Sequence, residues 1–121
     1  MELKEQTTDC TQGRNLMELG ISPSTASLGN KNGFPTWTIG DLIDLLPNVI
    51  DASTADKKHY KQRINQRYGG TWDVIYQKRG IGYDYLVCIS SKKLIDSLYE
   101  CLVWLNKNGY MDIGDGIYKK K

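Results

Sequence analysis

The chain has 121 residues, 40% of them hydrophobic and 25% charged, with a formal net charge of +2. That is enough chain for one domain around one core, and too balanced a composition for a disordered, collagenous or fibrous protein. Apolar runs are short, as at Leu102 to Leu105, against the roughly 20 residues needed to cross a bilayer, so no membrane-spanning helix is expected.

The first residues, Met1-Glu2-Leu3-Lys4-Glu5, alternate in charge with no apolar stretch behind them, which predicts a chain without a secretory signal and a cytoplasmic location. From Thr8 to Leu19 the apolar positions Cys10, Leu16, Met17 and Leu19 predict a short helix. Gly20 is suited to the left-handed position after that helix, Ile21 to the apolar contact of a Schellman turn, and Ser22-Pro23 stops continuation. Thr25 to Leu28 reads as a short strand, and Gly29-Asn30-Lys31-Asn32-Gly33 as a hairpin-like turn. Thr38 with Asp41 has capping-box spacing, and Trp37 with Leu42 that of a hydrophobic staple. Together they predict a helix over 38–46, ended by Pro47 and too short to stand without a sheet to bury its Leu42, Ile43, Leu45 and Leu46 face.

Residues 57–67 fit two periods. Tyr60, Ile64 and Tyr68 recur every fourth residue as on a helix, while strict alternation separates Lys61, Arg63 and Arg67 from Tyr60 and Tyr68. Strand is the preferred reading, with Gly69-Gly70 as a turn into a second strand at Trp72 to Tyr76. A third strand at Tyr83 to Ile89 completes a meander, with Tyr83, Tyr85, Val87 and Ile89 on one face. Ser90 or Ser91 is expected to cap a long helix reaching Lys107, whose stripe is Leu94, Ile95, Leu98, Cys101, Leu102 and Leu105. The fold class is therefore α+β: a three-stranded antiparallel meander packed by a long C-terminal helix and two shorter helices. One domain is expected over 1–111, with a flexible basic tail at 112–121.

Three stretches in fixed order, Leu16 to Ile21, Thr38 to Pro47 and Leu94 to Tyr110, together with Trp72 to Tyr76, resemble small uncharacterised proteins carried by phages and mobile elements of gut bacteria. The resemblance implies a strand at 60–68; it carries no function and transfers no catalytic or ligand-binding residue. The expected role is that of a phage- or mobile-element-type accessory protein.

Chemistry has few footholds. His59 is the only histidine, and a triad or multi-histidine metal site would have to be built around it. Cys10, Cys88 and Cys101 lack metal-ligand spacing and read as reduced thiols, with Cys88 and Cys101 assigned to packing. Asp112-Ile113-Gly114-Asp115-Gly116 lacks the ligand pattern of a calcium loop, and Gly80-Ile81-Gly82 that of a phosphate loop. No cofactor, metal or catalytic set is expected. The one candidate surface is the basic run Lys57, Lys58, Lys61, Arg63 and Arg67, which contains no acidic residue. The expected role is a non-enzymatic protein-interaction module, with weak nucleic-acid binding by the basic strand as the alternative. A second copy of the chain is a further expected partner, through an uncovered sheet edge or through Tyr99, Val103 and Trp104.

Overall fold

The computed structural model describes residues 6–31, 34–47, 49–51, 59–78, 85–108 and 117–119. Helix α1 spans Cys10–Glu18. Asp9 caps it by accepting the Gln12 N–H at 2.8 Å, while the Gln12 side chain accepts the Asp9 N–H at 3.0 Å, a reciprocal box that satisfies two otherwise orphaned donors. At the other end Gly20 takes φ +92°. Its N–H donates to the Met17 carbonyl at 3.0 Å, and that of Ile21 to the Leu16 carbonyl at 3.1 Å, the paired bonds of a Schellman turn. Ile21 is buried, as the spacing predicts.

Pro23–Thr25 is a 3-10 turn capped by Ser22, so the strand expected from Thr25 begins only at Leu28. Proline at the first position pre-sets the helical φ and lacks an N–H to pair, which favours the turn over extended chain. Strand β1 (Leu28–Lys31) pairs antiparallel with β2 (Phe34–Thr36), which places Gly29 to Lys31 of the predicted turn in a strand; residues 32 and 33 lie outside the described residues. Helix α2 (Ile39–Leu45) carries the predicted box: Asp41 N–H donates to Thr38 Oγ1 at 3.1 Å, and Thr38 N–H to Asp41 Oδ2 at 2.9 Å. Asp41 Oδ2 also accepts the Ser27 N–H and hydroxyl at 2.8 and 2.7 Å, so one carboxylate ties the chain before β1 to the start of α2.

Among the described residues the main sheet has five strands. Strands β3 (Val49–Asp51), β4 (His59–Gln66), β5 (Trp72–Lys78) and β6 (Tyr85–Ser91) are successively antiparallel, and β4–β5–β6 is the predicted meander. Gly69 and Gly70 turn β4 into β5 at φ +106° and +92°. Strand β7 (Ile117–Lys119) runs parallel to β3 on its far side, giving the order β6-β5-β4-β3-β7. The expectation of an unstructured tail is therefore corrected at these three residues; Asp112 to Gly116 lie outside the described residues. His59, the only histidine, opens β4, where its backbone pairs with Asp51.

Helix α3 (Leu94–Lys107) lies against β5 and β6. Its stripe is buried throughout and joins Leu16, Trp37, Leu42, Leu46, Ile50, Tyr60, Val74, Tyr76 and Val87 in one cluster. At roughly 1.5 to 3 kcal/mol for each large aliphatic side chain removed from water, this stripe is the main apolar contribution of the helix layer. The expected serine cap is replaced. Strand β6 extends through Ser91, the N-cap is Lys93, and no side chain of the turn caps the helix. Instead the buried Gln6 side chain accepts the Ile95 N–H at 3.0 Å, so the N-terminal segment supplies the cap. That segment is pinned by Thr8, whose N–H donates to the Trp37 carbonyl at 3.0 Å and whose hydroxyl accepts the Trp37 N–H at 3.0 Å.

The space around Gly20 is open, so substitution there meets only the backbone penalty. Gly20→Ala is expected to lower unfolding stability by about 1 kcal/mol, and Gly20→Asn by less, because asparagine tolerates the left-handed region. Urea unfolding of the three proteins measures both.

Candidate functional site

Alternation and register divide the sheet into two faces. Tyr60, Ile64, Val74, Tyr76, Val87 and Ile89 pack toward the helices. Lys61, Arg63, Asn65, Asp73, Ile75, Gln77, Cys88 and Ser90 belong to the other phase, and none of them joins the core cluster. All three helices contribute to the core on the first side, which leaves the second side uncovered among the described residues.

Of the sequence-predicted basic run, Lys61, Arg63 and Arg67 come together on this face and are exposed. Lys57 and Lys58 lie outside the described residues. The three cations are not equivalent. Arg67 Nε donates to Asp73 Oδ2 at 2.6 Å, and Ser90 Oγ donates to Asp73 Oδ1 at 2.6 Å. Arg67 is thereby a component of a structural pair, its own pKa raised chiefly by the Asp73 hydrogen bond and charge. Arg63 donates to Gln77 Oε1 at 3.2 Å. Neither Lys61 nor Arg63 has an acidic partner among the described residues. Ile75, directly opposite Arg63 and Cys88, is only 6% exposed, an apolar centre shielded on a polar face, where the methylene stem of an arginine is a suitable cover.

The tyrosines do not form a stacking platform here. Tyr60 and Tyr76 are buried in the core, and the Tyr76 hydroxyl donates to the Pro47 carbonyl at 2.7 Å. Tyr68 is fully exposed on the β4–β5 turn. Tyr85 stands opposite Gln77, because a register shift between Tyr76 and Gln77 leaves two β6 residues against one of β5. That bulge inverts the phase of the strand. It moves Tyr85 away from the face of Val87 and Ile89 with which alternation had grouped it.

The same alternation corrects Cys88. Expected in the core, it is exposed, since Val87 and Ile89 occupy the inward positions of β6 on either side. Cys101 is fully buried as expected, and burial, with a smaller contribution from Cys88, pushes its thiol up to about 12. None of the three cysteines forms a disulfide. Among the described residues no group of three or more histidine, cysteine, aspartate or glutamate side chains could hold a metal ion, and no helix is long and apolar enough to cross a membrane.

A second concavity lies between α1 and α3, a cleft of about 240 Å³ lined by Asn15, Glu18, Leu19, Tyr99, Val103 and Lys107. Sequence reading placed Tyr99 on a free helix flank. It is buried instead, with its hydroxyl accepting from Asn15 Nδ2 at 2.9 Å, and Gln12 Nε2 reaches Asp96 Oδ1 at 2.9 Å beside it. These contacts fasten α1 to α3, and periodicity within α3 alone gave no sign of them. Comparison of the chain with protein-family models, with curated proteins and with solved structures returned no match.

Two carboxylates carry a pH dependence. Burial opposes ionisation of Asp73, but the hydrogen bonds from Ser90 and Arg67 and the Arg67 charge outweigh it and hold the carboxyl below the usual 3.8. Asp41 is lowered in the same sense: burial again opposes, and the donors of Thr38 and Ser27 prevail. A depressed folded-state pKa stabilises the fold above the ordinary carboxylate range, and this contribution is lost as pH falls through the folded value. Stability is thus expected to decline below about pH 4 as the two groups protonate. Asp73→Asn should cost about 1 to 3 kcal/mol at pH 7, as expected when a buried hydrogen-bonding partner is changed, and should flatten the acid limb of urea midpoints between pH 2 and 7. In the native protein, thiol labelling is expected to modify Cys88 rapidly and Cys101 only upon unfolding, which mass spectrometry of labelled peptides resolves.

Proposed function

We propose that this chain is a non-enzymatic interaction module whose working surface is the uncovered face of β4, β5 and β6, taking an acidic segment of a protein partner. The observation that carries the reading is the pair Lys61 and Arg63, exposed side by side in phase on one strand, without acidic partners among the described residues and next to a polar rim around Ile75. Desolvating such a patch against carboxylates matches charge with charge and supplies both specificity and steering. A role as a phage- or mobile-element-type accessory protein is part of the same proposal.

Nucleic-acid binding is the second reading, and the same basic face favours it. Single-strand binders combine basic grooves with aromatic side chains on which bases stack. Of Tyr60, Tyr68, Tyr76 and Tyr85, only Tyr85 reaches this face, so the geometry supports the protein partner better.

The test is fluorescence anisotropy with three labelled probes, a polyglutamate peptide, single-stranded DNA and duplex DNA, over a salt series. The wild-type chain is compared with Lys61→Gln/Arg63→Gln. Arg67 is left in place because it belongs to the Asp73 pair. Salt-sensitive peptide binding that weakens about tenfold or more in the double variant is expected, as for loss of two exposed cation contacts. Tighter binding of either DNA would transfer the surface to the second reading, and no binding of any probe overturns both.

A further inference from the structure

The β6 strand ends the main sheet, and no other described strand pairs with its outer side. An edge of this kind presents a row of unpaired backbone donors and acceptors. Natural sheets blunt such edges with charge, proline, bulges or brevity, and the two ends of this sheet differ in that respect. The opposite edge, β7, is three residues long and is followed in sequence by Lys120 and Lys121. Strand β6 is seven residues, Tyr-Leu-Val-Cys-Ile-Ser-Ser, with neither charge nor proline. Its one irregularity, the bulge opposite Gln77, sits at the Tyr85 end and leaves Val87 to Ser91 in regular register.

We propose that this edge is an interface for a second copy of the chain, with β6 pairing antiparallel to β6 about a two-fold axis at Cys88. The strand is self-complementary in that register. Cys88 meets Cys88 of the copy, Val87 meets Ile89 twice, and Leu86 meets Ser90, where the bulge ends the register. No like charges are opposed, and the β-branched pairs fall on the helix side, where Ile89 is half-buried in the monomer. The five positions Leu86 to Ser90 form about four to six backbone hydrogen bonds, since alternate pairs exchange two each. An isologous contact of this type closes on itself and does not propagate into a filament. A two-fold perpendicular to the sheet keeps both helix layers on one side and joins the two basic faces into one surface. The inference stands on the edge strand alone and does not depend on the acidic-partner reading.

The full chain is the material for the test. Sedimentation equilibrium from about 1 to 100 µM, the range in which moderate dimers dissociate, is expected to show a shift from 13.7 kDa toward twice that mass. Either kind of antiparallel pair places the two Cys88 Cα atoms about 4.5 to 5.5 Å apart. A short bismaleimide is therefore expected to cross-link Cys10→Ser protein into a dimer and to leave Cys88→Ser protein uncross-linked. Cys88→Lys opposes two lysines at the axis and is expected to restore the monomer mass; where circular dichroism shows that variant unfolded, the wild-type mass and the two serine variants decide. A monomer throughout the concentration range overturns the proposal. So does a dimer that cross-links equally well without Cys88. Lys61→Gln/Arg63→Gln should leave the mass unchanged, which separates this interface from the binding face.

Discussion

Everything in this molecule is arranged by the packing of α3 on the inner face of β5 and β6. It is the longest described helix and brings one continuous apolar stripe to a sheet that has apolar residues in one phase only. Once that stripe is seated, the sheet has an inside. The remaining helices must join the same side, because Leu16 of α1 and Leu42 of α2 find apolar neighbours nowhere else. The other face carries Lys61, Arg63, Asn65, Asp73, Gln77, Cys88 and Ser90, with Ile75 as a buried apolar centre between Arg63 and Cys88. A one-sided antiparallel sheet is a standard solution for a domain of this size. Here it also creates the candidate surface, since the residues excluded from the core are the ones available to a partner.

Polar contacts between distant segments then determine how the layers sit. Gln6 caps α3, Asp41 gathers Ser27 and Thr38, Tyr76 reaches the Pro47 carbonyl, and Ser97 of α3 donates to the Trp72 carbonyl at 2.8 Å. Each places a buried or half-buried polar group against a partner, which avoids the penalty of leaving it unmade. Trp37 is the point where several of these meet. Its backbone is bracketed by Thr8, its indole N–H donates to Thr25 Oγ1 at 2.9 Å, and its ring is fully buried before α2.

Local chemistry was legible in the sequence and remote pairing was not. The Schellman end of α1, the Thr38–Asp41 box and the stripe of α3 are written within a few residues each, and the structure bears them out. The cap of α3 could not be read locally, because Ser90 and Ser91 continue the strand and the actual acceptor is Gln6. Strands β3 and β7 are three residues long, too short for a period to register, and their pairing joins positions far apart in the chain. On the candidate surface, alternation brought Lys61, Arg63 and Arg67 to one face. It gave no sign that Arg67 is held by Asp73 from across the Gly69-Gly70 turn. Cys88 is outward by the regular alternation that turns Val87 and Ile89 inward, whereas the Tyr85 face is changed by a bulge that shifts phase by one residue, and no sequence period marks where it falls.

The Gln6 cap also has a bearing on how the chain acquires its fold during synthesis. Gln6 and Ile95 are 89 residues apart, and the Gln12–Asp96 and Asn15–Tyr99 bonds each span 84. The first third of the polypeptide therefore leaves the ribosome well before the helix that covers it. Leu16, Ile21 and Trp37 spend that interval without their eventual neighbours, a nascent apolar surface of the kind chaperones engage. Native closure of the core is deferred until α3 has emerged, and it includes contacts that must be closed over long stretches of chain at an entropic cost.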